Sequence, residues 1–422
     1  MNIRKIAILF LTIGAVIQVR AEEHVLRMSL IEAEQYFDKH NLLLLAEHYE
    51  ISKADAAILQ AKLFDNPVFS FEQNVYNRTN GRYFDFGPEG ETAIEVEQLI
   101  NLAGQRNKRV KLERINKEMA LYQFEEVART LRSELKQQFV ELYFAEKSRS
   151  IYDKQIASLT ELLKVYQQQQ QKGNLSLLDK SRIEALLFSL QKEQNELDNQ
   201  IISLQEAVKL LIGLKGEVTF SPLLDEKMFQ AIGLDKISFA QLLESVHRRP
   251  DIQLAQTGIK AAQADVRLQR SLAFPEFKVV GKYDKAGNFI NDYWAIGFSI
   301  SLPVFNRNQG NIKAAKLSVE QNRQKELYVR QKAESELYAG YMRVQKAWTL
   351  YQKTDTSLEA DFSTILEGVN RNFQAHNINL LEFIDYYETY KTTCLQLNQI
   401  KQELLQAIEN MNIITGQNIF KY

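Results

Sequence analysis

The sequence predicts a mainly α-helical, internally duplicated chain with four short strands and two long helical hairpins. Three observations lead there. All six prolines fall at Pro67, Pro88, Pro222, Pro250, Pro275 and Pro303, which leaves two proline-free tracts of A/E/K/L/Q/R composition, about 105–213 and 304–422. Such tracts form long helices, because nothing in them interrupts the backbone hydrogen-bond ladder. Features recur in the same order in both halves. Each half also holds two stretches whose apolar residues alternate with polar ones at a period of two, the pattern of a strand with unlike faces.

Taken in order, the chain opens with MNIRK, then the apolar run IAILFLTIGAVI, then VRA before EEH. That is the basic, apolar and small-residue order of a secretory signal, with Val19 and Ala21 before the cut, giving a signal peptide over 1–21 and a mature start at Glu22. The run is too short to span a membrane well as a helix. No cysteine lies beside the cut, so no N-terminal lipid anchor is expected.

The first repeat is expected over 22–213: a helix, a β-hairpin over 68–102 and a long helical hairpin over 105–213. A linker over 214–236 precedes the second repeat, 237–422, with a β-hairpin over 276–303 and a helical hairpin over 305–415. ISKADAAILQAKLFDNPVF (51–69) lies over IKAAQADVRLQRSLAFPEF (259–277), matching Ile51, Ala54, Ala56, Pro67 and Phe69 to Ile259, Ala262, Ala264, Pro275 and Phe277 at one constant separation. KGNLSLLDKSRIEALL (172–187) lies over AHNINLLEFIDYYETY (375–390) at a slightly shorter one.

The strands are VFSFEQNVY (68–76), TAIEVEQLI (92–100), EFKVVGKYD (276–284) and YWAIGFSISLP (293–303). Each is near the length of a tilted strand crossing a bilayer, and aromatic residues such as Tyr83, Phe84, Phe86, Phe289, Tyr293 and Trp294 gather near the ends. The linkers 77–91 and 286–292 have turn composition. Four strands cannot close a barrel, and an open edge in lipid leaves backbone groups unpaired. Strands in a membrane would therefore have to be pooled, and three chains give twelve. On alternation alone, a small soluble β-sandwich remains an alternative.

Gly173 is the only glycine between Gln105 and Ile212. Gly173–Asn174 and His376–Asn377 mark where each long helix reverses, since glycine takes a left-handed cap conformation freely and asparagine is the next most tolerant. Ser176 and Asn379 then offer N-cap oxygens to the returning helices, with Asp179 and Glu382 three residues further in.

Composition excludes other classes. A formal net charge of −1 gives no basic face for nucleic acid. One cysteine, Cys394, rules out an internal disulfide and a cysteine zinc site, and the five histidines are scattered. There is no GxxxxGK[ST] and no nucleophile–base–orienter constellation, so neither a nucleotide site nor an enzyme is expected.

Signal sequence, duplication, paired strands and paired helical hairpins in this order resemble the TolC-type outer-membrane efflux factor family over essentially the whole mature chain. HRRPDIQLA (247–255) resembles the family's Arg-Pro-Asp start of the second repeat. SLPVFNRNQGNIKAA (301–315) is similar to its cobalt-zinc-cadmium branch. The resemblance implies a homotrimer with a 12-stranded barrel in the outer membrane of a Gram-negative bacterium and an α-helical tube in the periplasm. It implies partners in a periplasmic adaptor, an inner-membrane transporter and outer-membrane lipid, and neither catalysis nor a cofactor. Such a chain is a passive exit duct, with heavy-metal cations one cargo that the 301–315 match suggests. The other reading is a periplasmic coiled-coil adaptor or structural protein.

The resemblance also implies roles. Glu72, Glu95, Glu97, Lys278, Lys282 and Asp284 would line the barrel. Gly173, Asn174, Leu175, Leu178, His376, Asn377, Ile378 and Leu381 would form the tip that meets the adaptor. Glu367, with Asp361 and Glu359 further from the tip, would form an acidic constriction; the alternative for Glu367 is a solvated outer face.

Overall fold

The computed structural model describes residues 24–171, 177–231, 238–286, 290–354, 358–375 and 377–416. The expected signal peptide lies outside them. In chain order the elements begin β1 (His24–Ser29), α1 (Leu30–His40), α2 (Leu42–Lys62), β2 (Val68–Gln73), β3 (Tyr76–Asn77), β4 (Arg82–Tyr83) and β5 (Thr92–Ile100). The first long hairpin follows as α3 (Gln105–Gln171) and α4 (Leu177–Ile212), then β6 (Val218–Leu223) and α5 (Met228–Ala231). The second half comprises α6 (Phe239–Val246), α7 (Pro250–Ser271), β7 (Phe277–Ala286), β8 (Asn291–Ile300), α8 (Gln309–Lys353), α9 (Leu358–Gln374) and α10 (Leu380–Thr415).

The expected class is observed: long helices, a duplicated plan and one four-stranded sheet. The 67 residues of α3 rise about 100 Å. No isolated helix of that length holds itself straight in water, and α3 is supported by α2, α4, α7 and α10 along its length. Among the described residues, no helix is long and apolar enough to cross a membrane.

Three apolar clusters are threaded on α3. Phe37, Leu135, Phe139, Val208 and Phe220 fill the first. Val140, Phe144, Phe229, Leu337, Leu404, Ile408 and Met411 fill the second, where α10 packs on both α3 and α8. Tyr152, Leu159, Ile183, Phe373, Phe383 and Tyr387 fill the third, at the far end of the hairpins. Each such side chain contributes roughly 1.5–3 kcal/mol on burial. Close approach is demanding at Gly340 of α8, where a Cβ would lie 2.8 Å from Ile414 Cδ1 and 2.9 Å from Met411 Sδ. Gly213 ends α4 at φ +71, and a Cβ there would meet the His40 carbonyl oxygen at 2.3 Å.

Two features depart from expectation. The stretch read as a linker carries β6, which pairs in parallel with β1, from His24 opposite Val218 to Ser29 opposite Leu223. The descending helix of the second repeat is not continuous: α8 stops at Lys353, Thr354 is extended (φ −90, ψ 126), and α9 starts at Leu358. Thr354 Oγ1 donates to Leu350 O at 2.8 Å, the side-chain competition for backbone partners that disfavours a helix interior. The turn into α10 matches expectation. Asn379 caps the helix, accepting from Glu382 N at 3.0 Å, while Glu382 Oε2 accepts from Asn379 N at 2.8 Å. Asp179 lies in the first turn of α4, as expected; Gly173, Asn174, Leu175, Ser176 and His376 lie outside the described residues.

Candidate functional site: a two-faced sheet and the helical tip

The sheet runs β2–β5–β7–β8, antiparallel throughout. Side chains directly opposite share a face, so the register sorts them without ambiguity. One face is Phe69 and Phe71 on β2, Ile94 and Val96 on β5, Val279 and Tyr283 on β7, and Trp294, Ile296 and Phe298 on β8. Among the described residues, no helix covers it: Trp294 is 77 %, Ile296 89 % and Phe298 74 % exposed. Burying large side chains is the main drive to fold, so a sheet that presents them outward has a partner other than water.

The opposite face gathers all six expected lining residues, Glu72, Glu95, Glu97, Lys278, Lys282 and Asp284. They are layered. Nearest the helices, Lys278 Nζ meets Glu97 Oε1 at 2.8 Å. In the next layer Glu95 stands directly opposite Lys282, and beyond it Glu72 and Asp284 flank Ala93 from either side. Lys282 Nζ reaches outward towards Asp284 at 3.9 Å. The far end therefore carries two carboxylates without a cation in the same layer. Lys285 points elsewhere: its Nζ donates to the carbonyls of Phe86 (2.7 Å) and Gly87 (2.8 Å), tying the loop after β2 to β7. That loop is built around the buried Asp85, whose carboxylate accepts from Asn77 Nδ2, Asn80 Nδ2 and Gly87 N.

Among the described residues, both edges of the sheet, β2 and β8, are open. Strand direction alternates across the four, so β8 of one copy beside β2 of another continues the antiparallel order.

At the far end of the hairpins, Leu178 and Leu381 are exposed, and so is Asn377, whose N donates to Asn372 O at 2.8 Å. Ile378 is half-buried and packs onto the Phe373–Phe383 cluster. Glu359, Asp361 and Glu367 all lie on α9. Glu367 is exposed about 12 Å above the turn, eight residues before Ala375.

The sequence reading missed what holds this end together. Tyr387 OH donates to Asn370 Oδ1 at 2.7 Å, Asn370 Nδ2 donates to Ser158 Oγ at 2.9 Å, and Ser158 Oγ lies 2.7 Å from Tyr387 OH. Since the tyrosine proton goes to Asn370, Ser158 donates to Tyr387 and the three bonds close a ring across α3, α9 and α10. Burial pushes the Tyr387 hydroxyl above its ordinary pKa. Nearby, Lys391 Nζ bridges Glu193 (3.0 Å) and Glu388 (2.8 Å), and Tyr152, donating to Glu193, is pushed up to about 12 by burial and that carboxylate.

The sequence profile described as "Outer membrane efflux protein" matches twice, over residues 38–214 and 242–417. The chain belongs to the outer membrane efflux protein family. The two matches coincide with the two structural repeats. This outer membrane efflux protein is 22% identical over 387 residues to the cobalt-zinc-cadmium resistance protein CzcC of Cupriavidus metallidurans, covering 89% of this chain and 87% of CzcC. It is 28% identical over 147 residues to the pyoverdine export outer membrane protein OpmQ of Pseudomonas aeruginosa, a match spanning 34% of this chain and 30% of OpmQ. Its fold superposes on the Campylobacter jejuni CmeC outer membrane channel with a TM-score of 0.76 at 15% identity, covering 92% of this chain and 86% of that one. The expected location in the outer membrane therefore holds.

Proposed function

We propose that three copies join their sheets edge to edge, β8 against the neighbour's β2, into a twelve-stranded barrel through the outer membrane. The helices continue it as a periplasmic tube, and the assembly is the passive exit duct of a tripartite efflux system, without catalysis or cofactor. One observation carries this reading: a sheet with an uncovered apolar face, a charged opposite face and two open edges. In lipid each unpaired edge group costs several kcal/mol, so only closure makes the sheet stable there. A periplasmic adaptor would have no use for an apolar face of this extent.

In this reading Glu72, Glu95, Glu97, Lys278, Lys282 and Asp284 line the barrel, and Leu178 and Leu381 meet helices of an adaptor that couples the duct to an inner-membrane transporter. Three copies of Glu367 converge near the tip as an acidic ring, where mutual repulsion favours bound cations. The near full-length likeness to CzcC favours heavy-metal cations as cargo.

The test is direct. Protein extracted in mild detergent should have the mass of a trimer by light scattering and conduct ions stepwise in planar bilayers. A monomer that stays soluble without detergent overturns the proposal.

A further inference from the structure

The junctions between sheet and helices carry four basic residues against two acidic ones. Lys62 lies six residues before β2, Arg106 six after β5, Arg270 seven before β7 and Arg307 seven after β8. Each of the four crossings thus bears one basic residue at a similar level. The acids within these crossings are Asp65 and Glu276, and Asp65 is already engaged, accepting from Asn101 Nδ2 at 2.6 Å. Beyond them α3 has no acid until Glu113 and α8 none until Glu320. Other helices of the protein begin with the acid that the helix dipole favours: Glu32 in α1, Asp179 in α4, Asp251 in α7 and Glu382 in α10. α3 and α8, the two that leave the sheet, have no acid in their first turn, and their first charged residues are Arg106 and Lys313.

Elsewhere arginines have carboxylate partners, as in Arg129–Glu126, Arg132–Asp38, Arg149–Asp198, Arg249–Asp251 and Arg323–Glu320. At the crossings the contacts are to backbone and rings. Arg106 NH1 donates to Lys62 O at 2.9 Å and its guanidinium lies 4.2 Å over the Phe64 ring, while Arg307 Nε donates to Val304 O at 3.2 Å. Among the described residues, no ion pair is recorded for Lys62, Arg106, Arg270 or Arg307. Their surroundings are apolar and exposed: Leu302, 74 % exposed, continues the alternation of Phe298 and Ile300, and Phe305 is 92 % exposed. Phe64 and Phe274 are exposed beside them. An apolar and aromatic band passing into unpaired positive charge is the profile of the boundary between hydrocarbon and headgroups.

We propose that this collar seats the phosphate groups of anionic phospholipids in the leaflet nearest the helices, so that the protein selects an anionic lipid annulus. The partner follows from charge complementarity and from continuity with the lipid-facing side of the sheet. The inference rests on the barrel reading above.

The test uses the full chain reconstituted in phosphatidylcholine vesicles, with spin-labelled phosphatidylglycerol or phosphatidylcholine as probe and conductance recorded from the same preparation. Phosphatidylglycerol should be immobilised preferentially, by about fivefold for each phosphate held by one basic residue. The preference should shrink in 1 M salt, where the screening length is about 3 Å. Arg270→Gln/Arg307→Gln should lower it and Arg270→Lys/Arg307→Lys should retain it, with conductance unchanged in both. Normal conductance with equal immobilisation of the two lipids, a preference indifferent to salt, or one undiminished in the glutamine variant overturns this inference alone. Absence of conductance in the unaltered protein overturns the barrel reading instead. Should the glutamine variant not fold, the salt titration of the unaltered protein decides.

Discussion

Tyr387→Phe removes one oxygen from the far end of the hairpins and leaves two groups without partners: Asn370 Oδ1 loses its donor and Ser158 Oγ–H its acceptor. Both are half-buried, and their own bond at 2.9 Å can persist. The ring contacts are unaffected, since Phe383 still stacks on Phe373 at 4.3 Å and on residue 387 at 4.5 Å. An orphaned buried polar group costs about 1–3 kcal/mol, so with partial solvent access the pair should cost about 2 kcal/mol. The loss falls on the docking of α9 and α10 against α3, because the ring joins those elements and no others. A local opening there should become about thirtyfold more populated. Hydrogen exchange resolved by segment is the assay: amides of 364–375 should exchange faster by that factor, while those of 135–145 in the middle of α3 keep their protection. Equal exchange at the tip in both proteins, or uniform acceleration along α3, would refute the reasoning.

Three further outcomes are expected. Ile296→Arg places a charge on the uncovered apolar face and should lower recovery in the outer-membrane fraction, at a cost of about 2–4 kcal/mol if the site is near the bilayer midplane, whereas Ala295→Arg on the charged face should be tolerated. Burial raises the pKa of Glu226, but hydrogen bonds from Lys147 and Lys401 outweigh it and hold the carboxyl below the usual glutamate range. Its contribution to stability is therefore complete above the ordinary glutamate value of about 4.3 and lost as pH falls through the lower folded value, so thermal melts of Glu226→Gln should be less acid-sensitive in that window. Glu367→Gln should weaken divalent-cation block of the reconstituted channel, and unchanged block would remove this residue from the constriction.

Much of this was legible in the sequence because it is local. Alternation placed β2, β5, β7 and β8 to within a few residues, and the register then put every expected lining side chain on one face. Asn379 and Glu382 announced a helix start three residues apart, and the structure completes the capping box between them. What escaped depends on distant partners or on a signal overruled by a stronger one. β1 and β6 pair across some 190 positions, and Pro222 within VTFSPL argues against a strand unless, as here, the strand lies at an edge. The break after Lys353 comes without a proline, so a criterion built on proline ignores it. The Tyr387–Asn370–Ser158 ring joins α10 to an asparagine 17 residues away and a serine 229 away, beyond any periodicity.

The unequal descending arms have a mechanical consequence. In the first repeat, α3 is a continuous strut about 100 Å long; in the second, the corresponding arm is jointed after α8, some 68 Å along. A load applied at the tip is borne stiffly by one arm and yields at the elbow of the other. Bending then has a preferred direction: a push from any docked neighbour flexes α9 against α8, while α10, unbroken from Leu380 to Thr415, passes the load along α3 and α8.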